Sequence, residues 1–343
     1  MRVLVVNPGS SSLKTSVVEG GRAQEDDGGP YDAAAVRFVH GGPDFAAPVR
    51  VDEAVLGALE PVSDLAPLHN PKALDAAREL VERHPDLPVV ACFDTTFHAT
   101  IPAAASTYAL PREWNERWRL RRYGFHGLSH GGAVRRAAEL VGRPVADLRM
   151  VTCHLGGGAS LCAVRGGRSV DTTMGYTPLE GLVMQTRSGS VDPGLMLHLL
   201  RREGVSADEL YDVLDRESGL KGLSGTSGDF REVEEARAAG DPAAALAFEV
   251  YVHRLVREAA GMAAAAGGLD VLVFTGGVGE HATELRTAVV AGLAHLGVRL
   301  DAAANAALDS EGVIGDGVVV VAAREDLEMA RQVEELLGGR GTP

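Results

Sequence analysis

Apolar positions in this chain fall into short runs that stop abruptly at small or polar residues. The first run, Val3 to Val6, ends at Asn7-Pro8-Gly9; a serine triplet follows, then a second apolar stretch that closes on Gly20-Gly21-Arg22. The arrangement returns later, where Met150 to Leu155 leads into Gly156-Gly157-Gly158, a second apolar run and Gly166-Gly167-Arg168. RVLVVNPGSSSLKTSVVEGGR (2–22) and RMVTCHLGGGASLCAVRGGR (149–168) thus share one plan. Each predicts a β-hairpin with a small-residue loop, and the recurrence predicts a duplicated unit that opens each half of the chain.

Between the hairpins, residues 72–83 carry helical spacing after Asn70-Pro71, and the run from Leu87 to Phe93 reads as a buried strand ending at Asp94. Helical spacing recurs over 129–140 and 283–296, a strand is expected over 270–274, and the tail after Arg324 reads as a helix ended by Gly338-Gly339. Gly28-Gly29-Pro30 marks a turn. Strands alternating with helices give an α/β class.

Composition narrows the function classes. With 343 residues, 45% hydrophobic and 23% charged, the chain is long enough for two cores. The net charge of −14 and the scattered basic residues argue against a nucleic-acid surface, so an anionic ligand requires locally placed cations. The apolar run at the N-terminus is too short for a signal peptide, and no stretch reaches transmembrane length. Cys92, Cys153 and Cys162 lie in apolar runs without a CxxC pair, which fits a reducing, cytoplasmic compartment.

Three loops rich in glycine or hydroxyl residues follow apolar runs: 7–12, 156–160 and 276–279. Glycine lets backbone N–H groups approach an anion, and serine hydroxyls or Lys14 add donors, although none of the loops has Walker A spacing. Arg37 and Arg187 interrupt apolar segments and are candidate guanidinium clamps for carboxylate or phosphate. Asp94 and Glu325 are carboxylates available to magnesium. His126 and His130 are four apart but lack a zinc motif; the glycines around His126 favour a turn from which its imidazole reaches a cleft, and His130 reads as a core residue.

Taken together, NPGSSSLK, RFVHGG, LAPLHNP, FDTTFHATIP, RRYGFHG, HLGGGAS, VDTTMGYTPLEGL, TRSG, GLSGTSGDFR, VFTGGVGE and the Arg324-Glu325-Asp326 tail closely resemble the acetate and propionate kinase family. The resemblance spans nearly the whole chain. It implies two duplicated actin-like (ribonuclease H-like) domains with a cleft between them, residues 1–96 with 324–343 and residues 97–323, the second binding nucleotide. It also implies a homodimer.

The implied activity is reversible transfer of the γ-phosphoryl group of ATP to acetate, giving acetyl phosphate and ADP, with magnesium as cofactor and manganese as a substitute. Arg37, Asp94, His126 and Arg187 match catalytic residues, and Arg37, Val39, Leu68, Phe125 and Pro178 match the carboxylate and methyl pocket. Asn7, Ser10 and Ser12 match a phosphate loop, and Asn7 and Glu325 a metal site. Lys14, His154, Gly156, Gly157, Gly158, Asp229, Phe230, Arg231, Gly277, Val278, Gly279 and His281 match nucleotide-binding positions. Where the family commonly has asparagine, glycine and asparagine, this chain has Gly157, Gln185 and His281, which leaves nucleotide preference open. Propionate kinase and a non-catalytic nucleotide-binding homologue stand as alternatives.

Overall fold

The computed structural model describes residues 1–9, 13–67 and 69–338. Ser10, Ser12 and Leu68, named above as candidate site residues, lie outside the described residues. The described strands are β1 (Arg2–Pro8), β2 (Leu13–Glu19), β3 (Arg22–Gln24), β4 (Ala33–Phe38), β5 (Val49–Arg50) and β6 (Val89–Phe93), followed by β7 (Arg149–Leu155), β8 (Ala159–Arg165), β9 (Arg168–Thr172), β10 (Val271–Thr275), β11 (Arg299–Leu300), β12 (Gly312–Asp316) and β13 (Val318–Val320).

These strands form two sheets of one design. The first has the order β3-β2-β1-β4-β6-β5 and the second β11-β12-β13-β10-β7-β8-β9. In each, an antiparallel meander (β1-β2-β3, β7-β8-β9) supplies its first strand to a parallel trio (β1-β4-β6, β7-β10-β13), and an antiparallel strand (β5, β12) borders the last of the trio. The hairpins at 2–22 and 149–168 therefore occupy equivalent places, and the duplication inferred from them extends to strands whose sequences show no obvious likeness. The fold is α/β with two related sheets.

Helices cover both faces of each sheet, because strands such as β6 and β10 are buried at every residue and need apolar neighbours on both sides. In the first unit, Leu74 and Ala77 of helix Asn70–Arg83 pack with Val36, Phe38 and Phe93 on one face. Met329, Ala330 and Val333 of the final helix, Glu325–Gly338, pack with Val3, Val5 and Val90 on the other. In the second unit those places go to helix Gly127–Val141 and the long helix Pro242–Ala266. Leu128 joins the core of the first unit, so helix Gly127–Val141 ties the two together.

Two helix starts differ from the sequence reading. Asn70-Pro71 opens its helix instead of preceding it, since proline is suited to the first turn, where its missing N–H is not needed. The next begins at Gly127, not Ser129, for a reason that belongs to the site. The three cysteines are buried and unpaired, and no helix among the described residues is long and apolar enough to cross a membrane.

Candidate active site

The parallel trio of the first sheet brings three strands to one end, where an open α/β sheet presents ligand-binding groups. Asn7 comes from the end of β1, Arg37 from β4, and Asp94 lies just beyond β6. Asp94 is 1% exposed and receives Arg37 bidentately, Nε to Oδ1 at 2.9 Å and one terminal nitrogen to Oδ2 at 2.7 Å. The other terminal nitrogen donates to Asn7 Oδ1 at 3.1 Å and pairs with Glu325 Oε2 at 2.8 Å. Asn7 Nδ2 in turn donates to Glu325 at 3.4 Å.

The Arg37 guanidinium thus joins three other sequence candidates. Burial works against its charge, but Asp94 and Glu325 more than offset this and raise its pKa. Burial pushes the Asp94 carboxyl up to about 6 against the pull of Arg37, which leaves it ionised at neutral pH.

Facing this group is His126, with backbone φ of 57°, a left-handed conformation rare outside glycine. The reason lies in the next residue: Gly127 N donates to Asp94 O at 2.8 Å, and a Cβ on Gly127 would fall 2.1 Å from that oxygen. Only glycine permits so close an approach, which fixes where the helix starts. The His126 ring stacks on His154, at the end of β7, with centroids 4.3 Å apart. Burial lowers the His126 pKa well below the usual value, and neighbouring His154, His130 and the two candidate arginines add to the effect, so the ring is neutral at pH 7.

Arg187 completes the cluster on the far side of the glycine turn. A Cβ added to Gly158 would stand 3.2 Å from His126 Nε2 and 3.5 Å from an Arg187 terminal nitrogen, so the missing side chain keeps a space open between them. Arg187 donates to Pro178 O at 3.2 Å and pairs with Asp215 at 3.3 Å. Burial, then the positive charges of Arg37 and Arg187, lower the pKa of His69, which puts both guanidinia in electrostatic reach of one ring. Phe125 is buried against His40, ring centroids 5.3 Å apart, and Val39 packs on the same core cluster as Phe125.

Two cavities adjoin the cluster. One of about 440 Å³ is lined by Asn7, Lys14, His154, Gly276, Gly277 and Glu325, among others. The second, about 340 Å³, includes Gly156, Gly157, Gln185, Asp229, Phe230, Arg231, Gly277, Val278 and His281 in its walls. Gly277 belongs to both, at the start of the short helix Gly276–His281 that follows β10.

Not every candidate presents its side chain freely. Asp229 caps the helix Phe230–Ala238 and pairs with Arg231, Phe230 packs beside Phe248 and Tyr251, and Gly279 is buried near the backbone of Cys153 and Phe274. Gln185 sets its Oε1 where a Cβ on Gly157 would be 3.1 Å away, and its N–H donates to Gly157 O at 3.1 Å. These two departures from the family pattern are therefore one local arrangement.

A family model for the acetokinase family matches residues 31–331. The chain belongs to the acetokinase family. It is 50% identical over 308 residues to an acetate kinase from Synechococcus sp., covering 88% of this chain and 76% of that protein. The crystal structure of Porphyromonas gingivalis acetate kinase superposes with a TM-score of 0.91 at 34% identity, covering 98% of this chain and 99% of that one. A propionate kinase from Francisella tularensis gives a TM-score of 0.88 at 33% identity, covering 96% and 98%. Acetokinases are phosphotransferases with a carboxyl acceptor, and the two related sheets of this chain are their actin-like pair.

Sequence reasoning missed three participants. Asp215, the partner of Arg187, lies in a segment with no motif; Arg286 is buried behind the helix Gly276–His281; and His130, read as a core residue, is hydrogen-bonded through Ser160 to His126. A histidine four residues after a candidate catalytic histidine, on the helix that follows it, was the available signal.

Proposed function

We propose that this acetokinase transfers the γ-phosphoryl group of ATP to acetate, reversibly and in line, with Arg37, Asp94, His126 and Arg187 as its catalytic residues. The observation that carries the reading is the convergence of Arg187 and neutral His126 around the space left by Gly158, with Arg37, held by Asp94, Asn7 and Glu325, in electrostatic reach of the same imidazole. Phosphoryl transfer passes through a loose transition state and needs positioning and charge stabilisation more than covalent help. A carboxylate acceptor is ionised at neutral pH, so it attacks without a general base. Val39, Leu68, Phe125 and Pro178 would receive its methyl group. Lys14, His154 and the glycine loops would hold phosphates, and the cavity beside Gly277 and Val278 the nucleoside.

Magnesium fits the residues present. No group of three or more histidine, cysteine or acidic side chains among the described residues forms a protein cage, and magnesium asks for less: one or two protein oxygens, with phosphate oxygens and water. Glu325 and Asn7 supply such oxygens beside Arg37. When bound, the ion neutralises phosphate charge, and manganese would substitute.

The acceptor pocket alone does not separate acetate from propionate, since one methylene is worth roughly 1–3 kcal/mol in such a site. The domain division at residues 96–97 and 323–324 is supported by the cores of the two sheets, which among the described residues share only Leu128 and Val39 across that division. Exposed apolar side chains recur along the chain between Val191 and Leu246, with Leu195, Leu197, Tyr211, Val213 and Leu223, and this exposure supports a homodimer. Cytoplasmic residence accords with three unpaired buried thiols.

Steady-state assays with acetate, propionate and butyrate, trapping acyl phosphate with hydroxylamine, test the reading. Acetate preferred, with activity lost on chelation of magnesium, is the expected result; no acyl phosphate from any of the three would overturn it.

A further inference from the structure

Behind His126 runs a line of three hydrogen bonds that ends in the core. His126 Nδ1 lies 2.9 Å from Ser160 Oγ, Ser160 Oγ 2.8 Å from His130 Nε2, and His130 Nδ1 2.7 Å from Thr152 Oγ1. Ser160 on β8, Thr152 on β7 and His130 on the helix Gly127–Val141 are all fully buried. Burial holds His130 well below its usual pKa, so both rings are neutral and each carries one proton.

Two proton arrangements satisfy the three bonds with Ser160 both donating and accepting; a third, in which both rings donate to Ser160, strands the Ser160 hydroxyl proton with no acceptor among the described residues. In the first, Thr152 donates to His130 Nδ1, His130 Nε2–H donates to Ser160, and Ser160 donates to His126 Nδ1, which leaves the His126 proton on Nε2. In the second every bond is reversed and His126 Nε2 is bare. The reversed line turns Thr152 into an acceptor, and its own hydroxyl proton then has no acceptor among the described residues in a site that water does not reach. The first arrangement leaves no proton stranded.

We propose that Thr152, His130 and Ser160 are positioning residues that lock His126 as its Nε2–H tautomer and so aim a neutral donor into the space beside Gly158 and Arg187. The inference rests on the reading above in which His126 meets the transferring phosphoryl group. A phosphoryl oxygen in that space accepts a hydrogen bond from Nε2–H, whereas a bare Nε2 would oppose it lone pair to lone pair. Stacking on His154, which itself bonds Ser129 through Nδ1 at 2.8 Å, holds the ring plane while the line of hydroxyls sets its proton.

The test is long-range proton–nitrogen NMR of the full chain labelled with nitrogen-15 in histidine, the His126 signals being assigned by their loss in His126→Asn. The wild type is expected to show Nε2–H at His126. Ser160→Ala and Thr152→Val are expected to give mixed tautomers and kcat lower by roughly 10- to 100-fold, with KM for ATP and acetate within about twofold, a scale taken from the loss of the partner that orients a metal-bound imidazole. Thr152→Ser restores both the spectrum and kcat.

An Nδ1–H tautomer in the wild type overturns the proposal, as does a Ser160→Ala enzyme that keeps the wild-type spectrum and kcat. If Thr152→Val fails to fold by circular dichroism, Ser160→Ala alone decides. Full activity in His126→Asn would instead refute the role of His126 while leaving the measured tautomer standing, so the two failures are distinguishable.

Discussion

Replacing Arg286 with methionine probes how the proposed nucleotide side of the site is held. Arg286 is 1% exposed, yet no carboxylate pairs with it among the described residues. Its Nε donates to Asn305 Oδ1 at 2.7 Å, and one terminal nitrogen donates to the carbonyls of Gly279 at 3.0 Å and Glu280 at 2.6 Å. Those carbonyls belong to the helix Gly276–His281, too short to satisfy its own last turn, and a cation there meets both the unpaired oxygens and the negative end of the helix dipole. Methionine follows the aliphatic stem of arginine but stops short of the guanidinium and donates nothing.

Three strong acceptors would lose their donor. At about 1–3 kcal/mol for each buried group left unpaired, offset by no longer burying a charge, the net loss is about 3 kcal/mol. Because Gly277 and Val278 line the 340 Å³ cavity, KM for ATP should rise several-fold while kcat at saturating ATP changes less. Urea unfolding followed by circular dichroism, with hydrogen exchange of the amides over 276–281, gives the structural answer, and ATP titration the functional one. A variant with the wild-type midpoint, wild-type exchange in that helix and an unchanged KM would show that Arg286 does not organise the loop.

Other perturbations separate the remaining interactions. Arg37→Met strands the buried Asp94 charge and should cost about 3–5 kcal/mol of stability as well as turnover, whereas Arg187→Met, whose partner Asp215 is 16% exposed, should abolish turnover with a smaller loss; equal unfolding midpoints would contradict this. Lowering pH should destabilise the fold, because burial pushes His40 and His98 down to about 4 while the unfolded chain takes up protons near 6.5. Unfolding therefore binds protons between pH 6.5 and 4, and stability falls by up to about 1.4 kcal/mol per pH unit for each histidine. The rise of Asp94 to about 6 offsets roughly one of them below pH 6, and stability that holds level from pH 7 to 5 would refute the sign. Val39→Ala enlarges the acceptor pocket and should raise the propionate-to-acetate ratio of kcat/KM by about tenfold, read from the hydroxylamine assay.

What the sequence made legible was whatever a short stretch of chain determines by itself. The hairpins at 2–22 and 149–168 show because a small-residue turn between two apolar runs is a local signal, and from them followed the duplication and two of the candidate phosphate loops, while the α/β class came from the alternation of strand and helix signals. The helix Pro242–Ala266 gave no such signal: its many alanines lie on buried and exposed faces alike, which blurs the apolar stripe that marks a helix. Strands β4 and β12 were missed for a related reason, one being half alanine and the other interrupted by glycine.

The site divides along the same line. Arg37, Asp94 and Asn7 could be singled out one at a time as polar residues where apolar runs end, but their meeting depends on the parallel register of β1, β4 and β6, which no single segment encodes. The line from His126 to Thr152 is harder still to read. It joins a turn, a helix and two strands through hydroxyls that the sequence presents as ordinary strand residues, and its meaning lies in a proton count that exists only once all four side chains are buried together. Arg286 is the complementary case, an arginine in a helix that reads as a solvated charge until the carbonyls it serves are in place. Local pattern therefore finds the candidate site residues, because they sit at the ends of elements. The groups that aim them lie inside elements, and only packing reveals them.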